Sequence, residues 1–325
     1  MTKNLARVLK DFEKRKILVI GDIMLDRITL GNIERVNPEQ PASHLIKIYS
    51  DKNYNLGGAA NVANNVVALG AFCGLYGVIG NDSYGEEIKQ ICKEKKIDLM
   101  GFKDGKPSIV KQRIIAHGQQ IVRLDYGENN LEKISQEIQD SILKKLKKDI
   151  IEYDFAILSD YNKSLFSEKL AQGIIDLARS NGIQTLADPK PDNIDFFRNC
   201  TVISPNKEEA ERITGIRYSN GDDVLKKIGE VLSKRINSKY VIITCGEDGM
   251  FSYHNGKSTY MKTKARRVAD PTGAGDTFAA TLGLGLASKL NIDDAARLAN
   301  CAAGIVVEKV GTATPTIEEI KRYLE

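Results

Sequence analysis

A short, almost uninterrupted apolar run ending in polar residues recurs along this chain, with stretches of helical spacing between the runs. Ile17–Ile20 is followed by Gly21-Asp22, and Gly74–Ile79 comes after a small-residue helix predicted over Ala59–Leu69. Phe155–Leu158, Gln184–Ala187, Thr201–Ile203 and Val241–Thr244 repeat the pattern. Predicted helices near Tyr84–Lys96, Phe166–Ser180, Lys207–Ile213 and Asp223–Lys234 separate the runs. Strands that are apolar on both faces and alternate with helices require a mostly parallel sheet covered on both sides. The fold class is therefore α/β, expected as one domain over 1–325.

Two segments break the rhythm. Residues 28–50 and 107–125 alternate apolar and polar residues without an intervening helix, which predicts a separate small sheet able to act as a lid. A hairpin over Met250–Met261 is expected to turn at Asn255-Gly256.

Composition excludes several classes. With 47 basic and 43 acidic residues, a net charge of +4 is too even to argue for nucleic acid. No apolar run is long enough to span a bilayer, and the N-terminus is charged, so no membrane partner is expected. Five scattered cysteines without a Cys-x-x-Cys fit a reducing, cytoplasmic setting.

Polar residues cluster where the strands end: Asp22 and Asp26, Ser159-Asp160, Asp188-Pro189-Lys190, Asn206 with Glu209, and Thr244 with Gly246. Open parallel sheets bind ligands at those ends. Asp270-Pro271-Thr272-Gly273-Ala274-Gly275-Asp276-Thr277 adds a tight glycine-rich turn entering a helix. Amides at Gly273, Ala274 and Gly275 can approach an anion closely, with the positive end of the helix dipole behind them. Asp276, in the first turn, can take the proton of an attacking hydroxyl. On a lone Gly-x-Gly-Asp a capping acid would be the better reading, but it leaves the cluster of strand-end residues unexplained. Gly256-Lys257-Ser258 lacks the upstream glycine of a phosphate loop, and Gly283-Leu284-Gly285 reads as close helix packing.

These residues resemble the ribokinase-like (PfkB) carbohydrate kinases. Asp270–Phe278 matches the C-terminal signature, Gly57-Gly58-Ala59-Ala60-Asn61 the N-terminal one, and Asn206-Lys207-Glu208-Glu209 the Asn-x-x-Glu element. The resemblance implies Asp276 as base and Gly273, Ala274 and Gly275 as the anion hole. Asp26, Gly57, Gly58 and Asn61 would grip sugar hydroxyls, with Asp160 beside them. Asn206, Thr244, Gly246, Gly249 and Asn300 would meet ATP, and Glu209 would organise magnesium through water. Asp270 and Thr272, with Gly311, match a potassium-type monovalent-cation site of some members. The lid is expected to pair two copies into a homodimer.

Within the family, the likeness runs to the heptose-7-phosphate kinases. It is carried by Gly21–Arg27, Asn37-Pro38-Glu39-Gln40-Pro41, Gln119–Asp125, Leu158–Lys163 and Asp188–Lys190. The implied acceptor is D-glycero-D-manno-heptose 7-phosphate, converted to the 1,7-bisphosphate for ADP-heptose, with a separate nucleotidyltransferase completing the pathway. Lys190, Arg113 and Lys111 are the cations expected near the substrate phosphate. Pro271, Gln40 and Ser164 depart from the usual pattern. The alternatives are another acceptor, such as ribose or fructose 6-phosphate, or a non-catalytic sugar or nucleotide sensor.

Overall fold

The computed structural model describes residues 2–36, 44–128, 133–218, 222–263, 268–309 and 311–324. The Asn37–Pro41 segment lies outside them. The first half runs α1 (Thr2–Val8), β1 (Lys16–Gly21), β2 (Ile23–Val36), β3 (His44–Gly58), α2 (Ala59–Ala68), β4 (Phe72–Val78), α3 (Ser83–Glu94) and β5 (Asp98–Phe102). It continues with β6 (Ile109–Ala116), β7 (Gln119–Tyr126), α4 (Gln136–Asp149), β8 (Phe155–Ser159) and α5 (Glu168–Ser180). Then come β9 (Gln184–Asp188), β10 (Val202–Ile203), α6 (Lys207–Thr214), α7 (Asp222–Ile236), β11 (Tyr240–Thr244), β12 (Met250–His254) and β13 (Lys257–Met261). Helices α8 (Ala274–Ala287), α9 (Ile292–Val306) and α10 (Ile317–Leu324) complete the order.

Among the described residues the large sheet has the order β13-β12-β11-β10-β9-β8-β1-β4-β5. It is parallel from β11 to β5, and the β12–β13 hairpin adds an antiparallel edge. Strand alternation explains the two covered faces. Ile17 and Val19 of β1, with Phe155 and Ile157 of β8, join the core beneath α2, α8 and α9. Their neighbours Leu18, Ile20, Ala156 and Leu158 join the opposite core with α4, α5 and α7. Strand order reverses between β1 and β8, which opens a crevice at the carboxyl ends of those two strands.

The edge strand β5 is absent from the sequence reading, because it pairs with β4 alone and Asp98–Phe102 carries no fully buried residue. The small sheet has the order β3-β2-β6-β7, and β2 and β3 reach further than 28–50. Only Asp22 separates β1 from β2, so the chain passes straight from one sheet to the other. Asn255 and Gly256 turn the β12–β13 hairpin with positive φ. Gly283 lies inside α8, where a Cβ would stand 2.9 Å from Ile157 Cδ1, so this glycine serves helix packing.

Candidate active site

Helix α8 starts at Gly273, whose φ of 80° suits glycine, and no side chain caps it. By contrast, Asp82, Ser167 and Asn206 cap α3, α5 and α6. An uncapped first turn keeps its amides for a ligand. One of the expected donors is spent, since Ala274 N–H donates to the Pro271 carbonyl at 3.2 Å. The tight turn that presents the glycines consumes it, leaving Gly273 and Gly275 of that trio. A Cβ at Gly275 would meet nothing within 4 Å.

Asp276 is 5% exposed and held from two sides. Asn61 Nδ2, on α2, donates to Oδ2 at 2.7 Å, and the Tyr161 hydroxyl donates to Oδ1 at 2.5 Å. Burial pushes the carboxyl up to about 6, against the two hydrogen bonds that favour the anion. It can thus be a carboxylate near neutral pH and still a competent proton acceptor. Asn61 Oδ1 is buried with no partner among the described residues. Tyr161 was not singled out from the sequence, although it stands in the Leu158–Lys163 stretch. Its contact with Asp276 joins positions far apart in the chain.

Asp26, on β2, is 8% exposed, and burial raises its pKa although Arg113 opposes this. Gly57 lets that carboxylate approach, since a Cβ there would lie 2.9 Å from Asp26 Oδ2. Gly58, at φ 57°, carries the chain from β3 into α2. The cations expected to stand open to a phosphate are paired instead. Arg113 is engaged with Asp26, and Lys111 with Asp125 at 2.8 Å and with Glu128. Glu128 also holds Lys163 at 2.7 Å, linking the small sheet to the loop after β8. Register explains the grouping, because Asp26 pairs with Lys111 and Lys111 with Asp125 across β2, β6 and β7, on one face.

Asp160 is turned into the scaffold. It accepts from Asn162 N–H at 2.7 Å, Lys190 N–H at 3.1 Å and the Asn193 amide at 3.0 Å. Its observed work is therefore to hold the loops after β8 and β9 together. Lys190 lies beside Glu209 and Tyr161 rather than beside the small-sheet cations. Its Nζ bonds Glu209 at 2.6 Å and stands 5.4 Å from the Tyr161 ring centre. Burial would lower its pKa, but Glu209 outweighs that and raises it. Asp188, at the end of β9, is pushed up to about 8 by burial and by nearby Glu209.

A cavity of about 730 Å³ opens beside α8. Asn206, Thr244, Gly246, Gly249 and Asn300 all line it, as does Gly275. Five of the expected nucleotide residues thus meet the glycine-rich turn in one space. Asn206 also forms a capping box with Glu209, each side chain bonding the other's backbone N–H at 2.9 Å. Asp270 accepts from Thr272 N–H and Gly311 N–H, each at 2.9 Å. These bonds hold its carboxyl below the ordinary range although burial opposes them. Among the described residues, no three acidic, histidine or cysteine side chains form a ready metal cage.

The sequence profile of the pfkB family carbohydrate kinases matches residues 14–319. A protein of Sulfurimonas denitrificans named bifunctional protein HldE is 39% identical over 319 residues, 98% of this chain. A namesake from Nitratiruptor is 39% identical over 310 residues. The chain spans 65% of the length of each of these relatives. Among solved structures, phosphofructokinase-2 from Escherichia coli in complex with potassium superposes with a TM-score of 0.76 at 17% identity, covering 95% of this chain and 97% of that one. Arabidopsis thaliana ribokinase complexed with ribose and ATP gives 0.74 at 17% identity, covering 96% and 99%. These structural likenesses show the ribokinase-like fold. With the family profile running through nearly the whole sequence, the chain belongs to the pfkB family of carbohydrate kinases.

Proposed function

We propose that this chain transfers the γ-phosphate of ATP to the anomeric hydroxyl of D-glycero-D-manno-heptose 7-phosphate. The observation that carries the kinase chemistry is Asp276, a buried carboxylate gripped by Asn61 and Tyr161, on an uncapped helix start that lines the cavity. The heptose rests on the segments that resemble heptose-7-phosphate kinases, and on relatives named bifunctional protein HldE.

In this reading ATP lies in the cavity along Asn206, Thr244, Gly246, Gly249 and Asn300, its terminal phosphate at Gly273 and Gly275. The sugar sits between Asp26, Gly57, Gly58 and Asn61, whose buried Oδ1 accepts from a hydroxyl. Asp276 takes the hydroxyl proton as the oxygen attacks in line, and the first-turn amides and Lys190 stabilise charge on the transferring group. Closure of the small sheet as a lid excludes water. Magnesium fits the oxygen-rich edge of Glu209 and Asp188 as an ion that keeps most of its waters, so Glu209 would hold it through one of them. When bound with ATP it offsets the phosphate charge. Asp270, Thr272 and Gly311 would shape the turn around a monovalent cation such as potassium.

The test is ADP release from the purified protein with ATP and magnesium over a panel of heptose 7-phosphate, sedoheptulose 7-phosphate, fructose 6-phosphate, ribose and fructose. Preference for the heptose, with a new anomeric phosphate signal by phosphorus NMR, is the expected result. Preference for another sugar overturns the acceptor and keeps the kinase. Asp276→Asn should lower turnover at least about 10²-fold while ATP binding by calorimetry persists; a near-parental rate would remove Asp276 as the base.

A further inference from the structure

The proposed mechanism uses the base and the amides but gives no work to the phenol that touches the base. Tyr161 is half-buried, with Asp276 at its hydroxyl and Lys190 Nζ 5.4 Å from its ring centre. Its hydroxyl donates to Asp276 Oδ1 at 2.5 Å, shorter than the 2.7 Å bond from Asn61. The backbone beneath it is fixed as firmly. Tyr161 N–H donates to Asp22 Oδ2 at 2.8 Å, Lys163 N–H to the same oxygen at 3.1 Å, and Leu165 N–H to Oδ1 at 3.2 Å. Asp22, itself 4% exposed, thus anchors the loop that aims the phenol.

We propose that Tyr161 is a positioning residue of the reaction: its hydroxyl holds Asp276 as the oriented carboxylate until the sugar hydroxyl arrives. This rests on the reading of Asp276 as the base. Burial favours the neutral acid at 276, and Asp26 on β2 adds to that pressure. Asn61 on α2, Tyr161 after β8 and Lys190 after β9 oppose it. Asp188 at the end of β9 also feels the charge of Asp276. Among these groups, Tyr161 and Asn61 are the ones that bond Asp276 directly, each on its own oxygen. A phenol suits the place because burial raises its own pKa, so it stays a donor across the working range. Hydrogen bonds to a charged acceptor are the strong ones, and removing one returns the carboxyl toward its protonated form.

The experiment is a carbon-13 NMR titration of aspartate carboxyls in the full chain, without sugar, from about pH 5 to about pH 9. Asp276→Asn identifies the Asp276 signal by its disappearance. Tyr161→Phe should move that titration up by about one unit, and replacement of Tyr161 by 3-fluorotyrosine, a stronger donor of nearly the same shape, should move it down. In turnover, the acid limb of Tyr161→Phe should follow the same rise, with activity approaching about tenfold lower near pH 5, about twofold lower near neutrality and recovering at high pH. A titration that stays in place in the fluorinated protein overturns the proposal, as does an equal loss of rate at every pH. If Asp276→Asn keeps its rate, the reading of the base has failed instead.

Discussion

A Cβ at Gly58 would lie 2.4 Å from the Asp22 carbonyl oxygen, on a residue already at φ 57°. That carbonyl accepts Ala59 N–H at 2.9 Å and so fixes the start of the helix that carries Asn61. Gly58→Ala should cost about 1–3 kcal/mol in a denaturant melt and lower kcat, because backbone must move. Gly57→Ala would press on the end of the Asp26 side chain, which can yield. It should leave the melt nearly unchanged and raise KM for the sugar. At this scale the sequence exposes residues that belong to compact motifs, such as Asp276, Asn61 and Asn206. It hides partners such as Tyr161 and Glu128, whose roles arise from contacts between distant positions. Nor does it show that Lys190, expected near the substrate phosphate, meets Glu209 through the adjacency of β9 and β10.

Among elements, the small sheet has two unlike faces. Asp26, Lys111, Arg113 and Asp125 share the face that bears the site, while Val122, Leu124 and Tyr126 alternate onto the other. Those three are 37–42% exposed, on an edge strand open along its whole length. An apolar exposed edge is suited to pairing with a second copy. Light scattering should give twice the chain mass, and Val122→Asp combined with Leu124→Asp should halve it; a parental protein of single mass would end the expectation of a homodimer. The alternation that marks this sheet was visible in the sequence, but its limits were not. Strands β2 and β3 run on to Asp22 and Gly58 through residues that also serve the site, so their pattern is mixed. Strand β5 was missed for another reason, since its residues are only partly buried at the edge of the sheet and leave a weak apolar signature.

At the scale of the molecule, parallel topology gathers residues from almost the whole chain onto one rim. The run of apolar strands therefore foretold the fold and the rim on which those polar residues meet. What it could not foretell is how the two sheets are joined. Asp22 is the whole connection between β1 and β2, and the same residue anchors the Tyr161 loop and the first turn of α2. The machine thus has no slack at that joint. Far from it, the β6–β7 turn at His117 and Gly118 touches none of the residues assigned to the site, so rebuilding it should have little effect on phosphoryl transfer. Rebuilding at the root would disturb recognition and chemistry together.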